Sequence, residues 1–487
     1  MRLTYLAYSF SLAVMYFSIV LLIPIVVAFY YHESHAVLPF IVAGAIALMI
    51  SATLRKIVPG TAKIKSINDI KKSEGLCVVT LSWIFAGLLA SVPYLFFGIS
   101  PINALFEATS GITTTGATIF THFDYPKTLF FWRSFSQWLG GMGIIVLFIA
   151  ILPQFAIAGR QLFFAEAPGP TEDKFTPRIK NTAASLWKVY FGLTILEIIL
   201  LRTNGMSGFN SVCCALSSVS GGGFSPDSSS LIGSSNAILW IVCFFMFFAG
   251  ASYNLQYRAW SRFNPLVLLK NEEFKTYLKI VITLSVLLGI SLFVNSNYSF
   301  IKSLTHSFFQ IASTISSTGF CSVDFASWDY TSKGILLISM LVGGCASSAG
   351  GGIKIMRWLL VLKIMKSELA KVLHPKAVFN IKIGKYSVPK EVLYQTLMFV
   401  SFYLAILAAS ALVVAIVEEN TIVGISGAIS AVGNIGPGLG QIIGPLGNHN
   451  HLHSFSKIIL ILDMYIGRLE LIPFLVLFQK DLWSFKA

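Results

Sequence analysis

About ten apolar runs, each long enough to cross a bilayer as a helix, confine this chain to a membrane. They lie at roughly 3–30, 36–54, 76–98, 129–152, 185–201, 236–257, 277–294, 332–362, 392–417 and 456–478, where about 20 residues suffice to cross ~30 Å of hydrocarbon. Charged residues make up only 11% of the 487, against about 25% in a soluble globule, and the mean hydropathy is +0.76. The first run exceeds a signal-peptide core and ends in Tyr30-Tyr31-His32-Glu33 rather than at a small-residue cleavage site, so it is expected to remain as an anchor.

The net charge of +14 follows topology, which excludes a nucleic-acid reading. With the N-terminus inside, alternate segments hold Arg2, the cluster Arg55 to Lys72, Arg160 to Lys188, Arg258 to Lys279, Lys354 to Lys390, and Lys480 with Lys486. Only Lys127, Arg133, Arg202, Lys302, Lys333, Lys457 and Arg468 fall elsewhere. The positive-inside rule then places both termini in the cytoplasm, and the basic inner loops suit anionic lipids or a cytosolic partner. Cys77, Cys213, Cys214, Cys243, Cys321 and Cys345 have neither metal-ligand spacing nor a paired framework and read as small hydrophobes.

After residue 75 a unit recurs four times: apolar span, short amphipathic segment, Gly-rich polar segment, second span. The short segments Pro101 to Ile112, Ser207 to Val219, Phe300 to Ile315 and Ile422 to Val432 fall in the re-entrant length class. About 11 helical residues descend roughly 16 Å at ~1.5 Å each, and four extended ones climb back about 13 Å at ~3.3 Å each. Non-helical backbone at that depth must be buried in protein or line a cavity. The expected fold is therefore an all-α polytopic membrane protein with four pseudo-repeats of helix, pore helix, filter and helix around one pore. An N-terminal hairpin at 1–55 precedes repeats at 76–153, 185–262, 276–366 and 391–480.

Aligning the units on a central glycine puts Gly116, Gly223, Gly319 and Gly436 in register, preceded by Thr114-Thr115, Gly221-Gly222, Ser317-Thr318 and Asn434-Ile435. Glycine permits dihedrals that turn successive carbonyls toward one axis, where their oxygens replace the hydration shell of a monovalent cation. The absence of an Asp or Glu ring at these positions argues against a divalent-cation site. A single such stretch would read as a turn or a helix-packing patch; four with the same flanks read as a filter.

These residues resemble the Trk/Ktr/HKT superfamily of potassium transporters, most closely the Trk-type subunit of bacterial uptake systems. The resemblance covers nearly the whole chain. It rests on Ala104-Leu105-Phe106-Glu107 leading into Gly111-Ile112-Thr113-Thr114-Thr115-Gly116-Ala117-Thr118, on Gly222-Gly223-Phe224-Ser225, on Ser317-Thr318-Gly319-Phe320 and on Asn434-Ile435-Gly436-Pro437-Gly438. Further matches are Gly343-Gly344-Cys345-Ala346 with Gly350-Gly351-Gly352-Ile353-Lys354, the run Ala165-Glu166-Ala167-Pro168-Gly169-Pro170, and Gly467-Arg468-Leu469-Glu470. In this family a serine replacing the first filter glycine accompanies sodium transport, so Gly116 implies potassium, with K+ held at the twelve filter residues. Gly221 and Cys321 depart from the family pattern.

The run Gly343-Gly344-Cys345-Ala346-Ser347-Ser348-Ala349-Gly350-Gly351-Gly352 should break its span, at about 1 kcal/mol per Gly relative to Ala. The resemblance implies an intramembrane gating loop there; close helix packing through small residues is the alternative. Arg468 lies inside the last apolar run, where a charge costs about 2.5 to 3.5 kcal/mol. It is expected either to face the pore near that loop or to pair with Glu470 or Asp463. Glu107 reads as a filter-orienting acceptor or a structural carboxylate. His449, His451 and His453 sit in an outer loop without an acid or Cys pair and are not expected to bind metal.

The spans hold no catalytic constellation, so an enzyme is not expected, and an organic-solute carrier would need paired mid-membrane polar groups. Coupled K+/H+ or K+/Na+ symport remains the alternative to a gated channel-like route. With no Walker or Rossmann motif in the chain, no nucleotide site is expected here. The resemblance implies a cytosolic nucleotide-binding regulatory subunit, a homodimer with one pore per protomer, and the bacterial inner membrane.

Overall fold

A computed structural model describes residues 3–57, 72–143, 175–296, 298–377, 379–384, 386–477 and 479. The Ala165–Pro170 motif, Arg2, Lys480, Lys486, the basic residues between 58 and 71 and the end of the fourth apolar run lie outside the described residues.

The chain opens with α1 (Leu3–Leu21), α2 (Ile23–Tyr30) and α3 (Val37–Ile57), the last packed against the first two. Ser51 donates to the Ser11 carbonyl across this hairpin at 2.8 Å. Glu33 at its tip reaches 94 residues along the chain: its carboxylate accepts from Lys127 N at 2.8 Å, Thr128 N at 2.9 Å and Thr128 Oγ1 at 2.7 Å. The two backbone N–H groups are orphan donors of a helix start, so the hairpin supplies the N-terminal cap of α6 (127–143).

Between them come α4 (Lys72–Leu95) and α5 (Pro101–Ile112). Next are α7 (Phe175–Thr203), α8 (Gly208–Val219), α9 (Asn236–Ala249), α10 (Tyr253–Ser261), α11 (Leu266–Lys270), α12 (Glu272–Asn295) and α13 (Phe300–Ile315). The series closes with α14 (Tyr330–Met340), α15 (Ile355–Leu373), α16 (Lys390–Val417), α17 (Thr421–Gly433), α18 (Ser454–Arg468) and α19 (Ile472–Val476). A two-residue hairpin pairing Lys382 with Ser387 lies between α15 and α16.

Six helices among the described residues are long and apolar enough to cross a membrane, or seven if α9 and α10, bent by 102°, are one crossing. This multi-pass, all-helical architecture shows fewer unbroken crossings than the ten expected spans, for local reasons that include the break foreseen at the glycine run. The eighth run stops at Met340 and resumes at Ile355 around the glycines. The tenth breaks at Glu470 and Leu471, whose φ values are 60° and 57°. The fourth is described only to residue 143.

Apolar side chains face outward, as lipid requires: Val26, Phe29, Leu412 and Ile416 are all more than 60% exposed. The interior instead buries serines, threonines and glycines around α5, α8, α13 and α17. These short helices start on polar caps, Ser207 for α8, Ser299 for α13 and Asn420 for α17, with Pro101 in the first turn of α5. Each packs against the preceding long helix, α4, α7, α12 or α16, which brings all four C-terminal ends into the core.

Candidate functional site

Beyond each short helix the backbone repeats one conformation. The residue two before each central glycine is left-handed: Thr114 at φ 54°, Gly221 at 67°, Ser317 at 56° and Asn434 at 52°. The central glycines themselves stand at 82°, 73°, 84° and 105° for Gly116, Gly223, Gly319 and Gly436. Three of the left-handed residues are not glycine, a strain that persists only where surrounding structure enforces it.

The hydrogen bonds repeat as well. Thr115, Gly222, Thr318 and Ile435 donate their N–H groups to the carbonyls of Ser110, Ser217, Ser313 and Ser430 at 2.8 to 2.9 Å. A serine thus stands six residues before every central glycine, a signal that the glycine motifs alone do not include. Two of these serines also fasten the backbone at or just past the glycine, Ser313 donating to Phe320 O at 2.8 Å and Ser430 to Gly436 O at 2.7 Å.

The four segments meet in a cycle. A Cβ at Gly116 would collide with the Gly222 carbonyl oxygen, one at Gly223 with that of Thr318, and one at Gly319 with that of Ile435. One at Gly436 would stand 2.7 Å from the Thr115 oxygen, closing the ring. Only residues without Cβ allow this approach, so four backbone carbonyls crowd around one axis.

The two ends of the ring differ. A cavity of about 110 Å³ opens on the side of Ala117, Phe224, Cys321 and Pro437. Asp227 lies on its wall, and burial raises its carboxyl above the ordinary value. The other side is covered by the glycine run between α14 and α15. Gly351 N donates to Ser317 Oγ at 2.6 Å, and a Cβ at Gly350 would come within 2.7 Å of Ser316 O. The run is fastened elsewhere by Cys345 N to Gly250 O at 2.8 Å, Tyr253 N to Ser347 O at 3.1 Å, and Ala346 N to Glu273 Oε1 at 2.7 Å.

Two buried cations hold this cover. Arg468 donates to Ala349 O at 2.6 Å and to Gly140 O at 3.1 Å, so it bridges the glycine run to α6. It does not pair with Glu470, which accepts from Arg357 at 2.6 Å, or with Asp463, whose carboxylate accepts from Ser410 at 2.8 Å. Lys354, which the sequence put at the head of the basic inner run, is instead buried and donates to Gly350 O and, at 3.3 Å, to Ser348 Oγ.

Helix α6 carries further contacts that no motif announced. Buried Arg133 pairs with Glu107 at 2.8 Å, reaches Ser225 O at 3.0 Å and stacks over Phe224, 4.1 Å from the ring centre. Glu107 in turn accepts from Ile119 N at 2.9 Å and from Thr118 Oγ1 at 3.0 Å, so its bonds run to the backbone just past Gly116. Gln137 donates to Gly222 O at 2.6 Å and accepts from Phe224 N at 3.0 Å. Asn434 donates to Thr115 Oγ1 at 3.0 Å and Met464 O at 2.9 Å. The histidines play local parts: His449 N donates to Thr118 O at 2.8 Å, and His453 caps α18.

The four glycine segments thus form a ring of close backbone approaches, open on one side and covered on the other, within a bundle of lipid-length helices. The chain is 34% identical over 483 residues to the Trk system potassium uptake protein TrkH of Escherichia coli (strain K12), covering 97% of this chain and 98% of that one. It is 33% identical over 476 residues to the TrkH of Vibrio parahaemolyticus serotype O3:K6, with 96% of each covered. The crystal structure of the potassium transporter TrkH from Vibrio parahaemolyticus superposes with a TM-score of 0.90 at 30% identity, spanning 99% of this chain and 100% of that one. With the family model for the cation transport protein TrkH matching residues 48–486 as well, the chain belongs to the TrkH family of cation transport proteins.

Proposed function

We propose that this chain is the membrane subunit of a potassium uptake system, in which K+ passes through the ring formed by Thr114-Thr115-Gly116, Gly221-Gly222-Gly223, Ser317-Thr318-Gly319 and Asn434-Ile435-Gly436. The observation that carries this reading is the closed cycle of glycine-to-carbonyl approaches. The potassium uptake named for its relatives supports the choice of ion. The four units at 76–153, 185–262, 276–366 and 391–480 act as pseudo-repeats around one pore, with ten segments embedded in the membrane and the 1–55 hairpin clamped to α6 through Glu33. Carbonyl oxygens replace the water around K+, and Gly116 favours K+ over Na+.

On this reading the run Gly343 to Gly352 is the gate and Arg468 its latch. A buried guanidinium beside a cation path also repels the ion directly. Uptake needs no chemical energy in this chain, since the membrane potential supplies about 2.3 kcal/mol per charge per 100 mV, roughly fifty-fold accumulation at 1.4 kcal/mol per decade. Control falls to a cytosolic nucleotide-binding subunit on the basic inner loops. The protein works as a homodimer in a bacterial inner membrane, surrounded by lipid, with both termini cytoplasmic.

Growth of cells lacking their own potassium uptake tests this. Expression of the chain with its regulatory subunit should restore growth at submillimolar K+, and Gly116→Ser should raise the K+ requirement. Well-expressed protein that never restores growth would argue against potassium uptake.

A further inference from the structure

We propose that Gln137 is a selectivity-determining positioning residue that stands in for the side chain missing at Gly222. This rests on the ring acting as the ion filter.

In three segments the residue before the central glycine brings its own anchor. Thr115 Oγ1 bonds Thr113 Oγ1 at 2.8 Å and accepts from Asn434 at 3.0 Å. Thr318 Oγ1 bonds Ser316 Oγ at 2.7 Å. Ile435 is buried in an apolar cluster with Met340 and Ile429. The second segment has Gly221-Gly222-Gly223 instead, three consecutive residues with the greatest backbone freedom and no side chain to add to their backbone bonds.

Gln137 fills that gap. A Cβ built on Gly222 would fall 2.5 Å from Gln137 Oε1, so the amide occupies the volume a side chain would take. Its Nε2 donates to Gly222 O at 2.6 Å while its Oε1 accepts from Phe224 N at 3.0 Å. These bonds fix the peptide planes on both sides of Gly223, and with them the direction of two carbonyls. The same hydrogen bond draws on the Gly222 oxygen, which makes it a weaker cation ligand than its three counterparts. Gln137 is itself fully buried on α6, between Arg133 and Gly140, whose carbonyl holds Arg468. Selectivity differs between ions through the precise spacing and field of such oxygens, so loosening one segment should admit the wrong ion before it stops flux.

The experiment compares ⁸⁶Rb⁺ and ²²Na⁺ flux in liposomes holding the purified chain with its regulatory subunit. Gln137→Met keeps the volume and removes both bonds. It should lower the Rb+/Na+ flux ratio at least tenfold with Rb+ flux retained. The double variant Gln137→Gly with Gly222→Thr clears the atoms that a Cβ at 222 meets first, returns a β-hydroxyl to the segment and should regain part of the ratio. An unchanged ratio in Gln137→Met overturns the proposal, as does an equal loss of both fluxes that the double variant does not reverse, which would mark ordinary packing. A wild-type chain that passes neither ion under these conditions would instead defeat the filter reading beneath it.

Discussion

Gly319→Ala is expected to cut Rb+ flux by more than tenfold while the protein still folds and inserts. Two costs coincide at this position. The backbone is held at φ 84°, where an L-residue pays about 1–2 kcal/mol, and the new methyl would overlap the Ile435 carbonyl oxygen and press on Pro437 Cδ at 3.0 Å. Relief requires rotating a ring carbonyl or moving the third segment away from the fourth. Either change spoils the coordination, and about 1.4 kcal/mol at the barrier is already a tenfold rate effect. Gly334→Ala is the control, since a Cβ there meets nothing within 4 Å. Flux measured in liposomes beside thermal stability in detergent decides the matter: a Gly319→Ala protein that conducts like the Gly334→Ala control would show that the close approach is not part of the pathway.

Arg468→Ala should have the opposite sign, raising basal cation flux several-fold. The guanidinium spans two elements, with Ala349 O at 2.6 Å on the glycine run and Gly140 O at 3.1 Å on α6. Its removal frees both carbonyls and deletes a buried positive charge beside the path. Charge-assisted hydrogen bonds contribute about 1.5 to 3 kcal/mol each, enough to shift a closed-to-open balance by more than an order of magnitude. Arg468→Lys should fall between, because an ammonium lacks the planar fork that serves two separated acceptors. Lower flux in Arg468→Ala at normal protein level would contradict the latch.

Much of the architecture was legible because membrane folding writes long signals. The apolar runs marked the six or seven crossings found among the described residues, and the glycines stood out because no other residue fits a backbone-to-backbone approach. The contacts that stayed hidden depend on tertiary neighbours. Nothing in the local sequence ties Gln137 to Gly222, 85 residues away, or Arg468 to Gly140, 328 away. Hydropathy alone treats Glu470 and Leu471 as part of a span, although their left-handed backbone ends it. The hairpin's role turned on Glu33, a carboxylate with no motif around it, whose meaning is the uncapped helix start it meets at Lys127 and Thr128. Arg468 stood out in sequence as a charge deep in an apolar run, but its acceptors proved to be carbonyls rather than the acids nearest in sequence. The serine six positions before each glycine is plain in the chain, and gains meaning only once its carbonyl is seen to receive the ring's N–H.

The most direct test of the central claim is ⁸⁶Rb⁺ uptake into liposomes holding the purified chain and its regulatory subunit, under an inside-negative potential, with K+ and Na+ as competitors and Gly116→Ser alongside. Uptake that K+ suppresses and Na+ does not, with this discrimination weakened in Gly116→Ser, is the expected result. Uptake that Na+ suppresses as well as K+ does, or a Gly116→Ser protein as selective as the wild type, would contradict a potassium filter built from these four segments.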